Sequence, residues 1–81
     1  MPTVLREGSL RFFFYSNEGS EPPHVHVEDL ARSITAKFWL APVRLVGSSG
    51  YRSRQWRRAH WLVIQHRLNF LQAWHDHFPT P

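Results

Sequence analysis

The stretch that most constrains this chain is Pro22-Pro-His-Val-His-Val-Glu28. Its polar and apolar residues alternate strictly. On an extended strand that puts His24, His26 and Glu28 on one side and Val25 and Val27 on the other. The two prolines ahead of it lack N–H donors and push the preceding residue out of the α region, so no helix runs in. The stretch therefore reads as a half-buried strand. The rest of the chain must pair with it and cover its valines.

Suitable neighbours stand on both sides. Leu10 to Ser16 is an aromatic strand between Gly8 and Asn17-Glu18-Gly19. It has Leu10, Phe12 and Phe14 on one face and Arg11, Phe13 and Tyr15 on the other. Residues 17–23 form a polar loop. Ile34 to Leu40 is a third strand, with Ala36, Phe38 and Leu40 facing one way and Thr35, Lys37 and Trp39 the other. Thr3–Arg6 is a candidate short first strand, and Pro42–Val46 a candidate edge strand. Gly47-Ser-Ser-Gly50 breaks the pattern.

From Ser53 to Phe78 the period becomes helical, with Ser53 as a candidate N-cap and Pro79 and Pro81 as stops. At 100° per residue, one arc gathers Trp56, Ala59, Leu62, Val63, Phe70, Ala73 and Trp74, with His66 and His77 among them. A second arc gathers Trp61, Ile64, Leu68, Leu71 and Phe78 among charged residues. The expected architecture is α+β, a single domain over residues 1–81. A small antiparallel sheet of three or four strands carries one long C-terminal helix packed on one face.

A domain of 81 residues has room for one small core, and with no cysteine it has neither disulfides nor thiolate metal sites. No apolar run is long enough to span a bilayer and no signal peptide opens the chain, so the expectation is a cytoplasmic protein that does not enter the membrane. The net charge of +4 is uneven. Residues 1–43 set Arg6, Arg11, Arg32 and Lys37 against Glu7, Glu18, Glu21, Glu28 and Asp29. Residues 44–81 set six arginines against Asp76 alone. Arg52, Arg54, Arg57 and Arg58, with Tyr51 and Trp56 interleaved, form a candidate nucleic-acid-binding cluster at the helix start. A solvated basic turn is the plain alternative. Trp61, Ile64 and Leu68 would stand on the surface of a monomer and form a candidate partner interface, unless loops cover them.

The histidine row invites a chemical reading. His24 and His26 are the candidate acid and base, since imidazole titrates near neutrality. Arg11, Tyr15 and Lys37 join them if the strands pair so that all lie on one face, and the cations would then stabilise a phosphorane. His66 is the candidate third imidazole, brought by the helix. As metal ligands, His24 and His26 would have Cα atoms roughly 6.5–7 Å apart, with Glu28 or His66 third. His-x-His alone is a weak signal, and the expectation carries no metal and no other cofactor. The plain alternatives are half-exposed strand histidines, a core His66 bonded to a carbonyl, and cross-strand pairing of Arg11 and Lys37 with Glu28 or Glu18.

Several of these stretches together resemble a known family. They are Arg11-Phe-Phe-Phe-Tyr-Ser-Asn-Glu18, Pro22-Pro-His-Val-His-Val-Glu28, Ala36-Lys-Phe-Trp-Leu-Ala-Pro-Val43, His66-Arg67 and Ala73-Trp74, with the opening Met-Pro-Thr-Val-Leu-Arg. The chain resembles the bacterial domain of unknown function 4160 family along nearly its whole length. That resemblance implies a small bacterial cytoplasmic protein whose gene is linked to a toxin–antitoxin-like pair, with a small partner encoded next door. The helix departs from the family pattern: outer surfaces rich in Glu there, Trp61, Ile64, Leu68 and Asn69 here. Two functions follow as expectations. One is a toxin–antitoxin-type protein that binds RNA and acts as a metal-independent ribonuclease. The other is a non-enzymatic interaction module, homodimeric or partner-binding, that uses the apolar helix.

Overall fold

A computed structural model describes residues 3–49 and 53–78. Five strands form one antiparallel meander in sequence order: β1 Thr3–Glu7, β2 Leu10–Phe13, β3 His24–Asp29, β4 Ile34–Leu40 and β5 Val43–Ser48. After a 3₁₀ turn at Ser53–Trp56 come two helices, α1 Arg57–Gln65 and α2 Arg67–His77.

The fold is α+β, with more strands and a less continuous helix than the pattern predicts. Both candidate edge strands are real, which makes five strands in place of three or four. Gly8, at φ 58°, adopts the left-handed conformation that lets β1 turn back onto β2. Leu40 is followed at once by the turn into β5, which pairs with β4 as far as Ala36 and Ser48. α-Helical geometry begins at Arg57, one turn later than Ser53, with Trp56 at the N-cap position. The expected single helix is interrupted at His66, whose ψ of 16° opens one turn. No proline or glycine stands there. The break coincides with Arg67, whose Nε donates to the carbonyl of Leu40 at 2.7 Å and ties the start of α2 to the end of β4.

The helical layer covers the valine face. Leu10, Phe12, Phe14, Val25, Val27, Ala36, Phe38 and Leu40 meet Trp56, Ala59, Leu62, Val63, Phe70 and Trp74 in one buried cluster. The first helical arc is therefore the core-facing one. On the opposite face of the sheet Phe13 is buried as well, under Arg11, whose guanidinium carbon lies 4.4 Å from the ring centroid, and against the stacked His26 ring. The valine face has a helix for cover, whereas this face has its own rings and cations, and it carries the polar row. Among the described residues no helix is long and apolar enough to cross a membrane.

Candidate functional site

Strand register decides which polar side chains meet. His26 lies opposite Phe13 of β2 and Lys37 of β4. Glu28 lies opposite Arg11 and Thr35, and His24 opposite Trp39. Arg11 and Lys37 thus share the histidines' face. Tyr15, just past β2, places its ring edge-on to His26 at 4.7 Å.

The group that organises the site comes from the loop. Glu18 folds back over β3, and both its oxygens accept from His26 Nε2, at 2.9 and 2.8 Å. Its Oε1 also accepts from the Tyr15 amide at 3.1 Å and lies 3.1 Å from His24 Nε2. His24 is completely buried, between the rings of Trp39 and Trp74. Its Nδ1 donates to the Pro22 carbonyl at 2.9 Å. That contact leaves the lone pair of a neutral ring on Nε2. Although Glu18 is close, it lies outside hydrogen-bond geometry, so Nε2 is a buried atom with no hydrogen bond among the described residues. Glu21 lies 3.9 Å from His24 Nδ1 and accepts from Lys37 Nζ.

Charge around the histidines is nearly cancelled. Burial raises the Glu18 pKa, but hydrogen bonds from His26 and the Tyr15 amide outweigh it and hold the carboxyl below its usual range. The Lys37 hydrogen bond lowers Glu21 in the same way. Burial pushes the His26 imidazole down, and the neighbouring Glu18 carboxylate only partly restores it, so the ring is neutral near pH 7. Arg11 pairs with Glu28 at 3.3 Å and donates to Thr3 Oγ1 at 3.0 Å. Arg11 and Lys37 each have their own carboxylate, whereas Arg6 and Arg44, opposite Arg11 and Trp39 in the ladders, make no ion pair among the described residues.

Several expected participants lie elsewhere. His66 does not reach the row. It sits at the helix break beside Phe70, with ring centroids 5.9 Å apart, and the sheet separates it from His26. Glu28 is engaged by Arg11, two residues along β3 from His26. Trp56 belongs to the core, so it offers no surface on which a base could stack. Arg54, Arg57 and Arg58 are exposed, but Arg54 and Arg58 line a hollow with Glu7, Ser9, Asp29 and Arg32 at the far end of β3 from His24. Tyr51 and Arg52 lie outside the described residues. Trp61, Ile64 and Leu68 stand 55%, 53% and 74% exposed on the outer side of the helices. Glu18 is the participant that sequence reasoning missed. Its one signal was a carboxylate in the loop directly preceding the histidine strand.

No curated protein and no solved structure matches the chain. The family model of the domain of unknown function DUF4160 matches residues 9–75, which include β2, β3 with its histidines, Glu18 and nearly all of both helices, and the chain belongs to that family.

Proposed function

We propose that this chain is a protein-binding module, the small bacterial, cytoplasmic member of a toxin–antitoxin-type pair, which docks its partner through the outer face of its helices. The observation that carries the reading is the exposure of Trp61, Ile64 and Leu68, which recur at helical spacing on one side. The rim of that face favours one kind of occupant. α1 contains no acidic residue, α2 contains only Asp76, Arg57 stands one turn before Trp61, and Arg67 lines a hollow with Ile64 and Leu68. A second copy would bring arginine against arginine. An amphipathic helix with acidic flanks would match both the apolar centre and the rim. The product of the neighbouring gene is the partner proposed.

The test is co-expression with that neighbour. The two proteins should co-purify as a stoichiometric complex. Leu68→Glu should weaken it by about 2 kcal/mol or more, roughly thirtyfold, as loss of a central apolar anchor does. A monomer in sedimentation that ignores the neighbour would end the proposal, and a homodimer would replace the acidic partner with a second copy.

A second reading is RNA binding with metal-independent cleavage, in which His24 and His26 exchange protons while Arg11, Lys37, Tyr15 and the arginines of the helix start hold phosphate. It is favoured by the register that sets Arg11, His24, His26 and Lys37 on one face. The pairing of Arg11 and Lys37 with carboxylates weighs against it, because a phosphate beside the histidines would have to displace Glu21 or Glu28. RNA cleavage that is the same in wild type and in His26→Ala would remove this reading.

A further inference from the structure

We propose that Glu18, His24 and His26 form a binding site for a divalent transition-metal ion of zinc(II) type, held by one carboxylate and two imidazoles. The inference is independent of the partner-binding reading, which concerns the other side of the sheet.

Convergence is the first observation. One donor atom from each residue can be chosen so that all three lie within 4.8 Å of one another. Tetrahedral zinc, with bonds near 2.0–2.1 Å, holds its ligands roughly 3.3 Å apart. The trio therefore needs only a modest inward adjustment of two rings and one mobile carboxylate.

The second observation is the state of His24. Its Nδ1–H is committed to the Pro22 carbonyl. That is the outer-shell bond that fixes a ligating imidazole with its other nitrogen turned to the metal. The other nitrogen, Nε2, is buried, makes no hydrogen bond among the described residues, and faces a carboxylate oxygen at 3.1 Å. A lone pair set against an anionic oxygen inside the protein is unfavourable unless a cation lies between them. No such cation comes from the nearest base, since Lys37 is engaged by Glu21. An ion bound to Nε2 and to Glu18 converts the repulsive contact into two bonds.

The remaining ligand needs one proton moved. His26 now gives its Nε2–H to Glu18. On binding, that nitrogen loses its proton and the ring carries one on Nδ1, so the ion takes the place of the shared proton. Outer-shell support is already present: the Tyr15 amide holds Glu18 Oε1, and Trp39 and Trp74 wall off His24. Two nitrogens and one oxygen favour zinc, cobalt or nickel over magnesium or calcium, which prefer all-oxygen sets. Three protein ligands leave a fourth position for water. Since Glu18 comes from the loop over residues 14–23, the ion would also fasten that loop to β3.

The experiment is a calorimetric titration of untagged, chelator-stripped full chain with zinc(II), paired with the visible absorption of the cobalt(II) form. One zinc per chain should bind, and cobalt should give the intense bands of a four-coordinate site. Glu18→Gln and His26→Ala, both partly exposed positions, should each weaken zinc binding by at least about tenfold, because even outer-shell losses cost about 10–100-fold. The exposed His75→Ala should bind zinc like wild type. Wild type without saturable one-to-one binding would overturn the site, as would Glu18→Gln and His26→Ala chains that bind zinc unchanged.

Discussion

Asp29 shows what a single buried carboxylate does in this domain. It ends β3 and accepts from Ser9 Oγ at 2.9 Å, the Ala31 amide at 3.1 Å and Arg32 at 2.8 Å. Burial raises its pKa, but the bonds from Ser9, Arg32 and the Ala31 amide outweigh that and hold it below the usual 3.8. A carboxyl depressed on folding adds stability above its unfolded value. That stability is lost as pH falls through the folded value. Glu18 acts in the same direction below 4.5. His26, lowered from 6.5, favours folding while neutral and begins to oppose it as pH drops under that value. Stability should therefore fall steadily from about pH 6.5 downward. Asp29→Asn should cost about 1–3 kcal/mol at pH 7 and flatten the last part of the decline, below pH 3.8. Urea unfolding at pH 7, 5 and 3 measures both effects, and an unchanged slope in the variant would refute the role given to Asp29. The same scale explains why Glu18 was not legible in the sequence. His24, Val25, His26, Val27 and Glu28 announce their faces by alternation, because strand geometry is local. Which carboxylate then closes on the histidines depends on how the loop over residues 14–23 folds back, and no period encodes that path. Glu28, the nearer in sequence, was already claimed by Arg11 across the β2–β3 ladder.

At the scale of elements, the loop carrying Glu18 is held by the end of α2. Gly19 packs so closely on Phe78 that a Cβ placed there would lie 2.7 Å from Phe78 Cδ1. Phe78 in turn meets Trp74 at 4.3 Å between centroids, and Trp74 meets His24 at 4.7 Å. A contiguous set of rings thus joins the helix end, the loop and the buried histidine. Gly19→Val should push the loop off Phe78 and cost about 1–3 kcal/mol, as overpacking does. It should also weaken zinc binding, because Glu18 is the next residue. Thermal unfolding and the zinc titration read the two consequences, and wild-type values in both would show that Phe78 swings aside freely. The helices were legible in kind but not in continuity. Trp56, Ala59, Val63, Phe70 and Trp74 recur with the period that predicts a buried stripe, and they are buried. The interruption at His66 leaves no mark in composition, since it accompanies a tertiary bond from Arg67 to the Leu40 carbonyl. His66 was misplaced for a related reason. Periodicity says that it faces the sheet. It does not say that the histidine row lies on the sheet's other face.

For the molecule as a whole, the meander divides two chemistries. Its covered face and helices expose the apolar stripe of Trp61, Ile64 and Leu68, and its other face holds Glu18, His24 and His26. The structural bridge between them is α2, which carries Leu68 on its outer side and presses Trp74 against His24 from its inner side. If α2 moves as a rigid body held by Phe70 and by Arg67, partner docking on the outside has no second arrangement to select, and the two sites should be energetically separate. Zinc affinity should then be the same with and without the bound partner, within about 0.5 kcal/mol, and by linkage partner affinity should be equally indifferent to zinc. Two titrations of the wild-type complex close that cycle. A difference of 1 kcal/mol or more in both arms, of equal size and sign, would mean that α2 has two positions and that Trp74 transmits the choice. A Trp74→Phe chain would then identify the transmitter, because it keeps an aromatic wall for His24 while shortening the contact through which the helix could push. The expected result is the null cycle. Trp74 is buried and in ring contact with Phe14, Phe78 and His24, and close-packed interiors resist a shift of one such side chain.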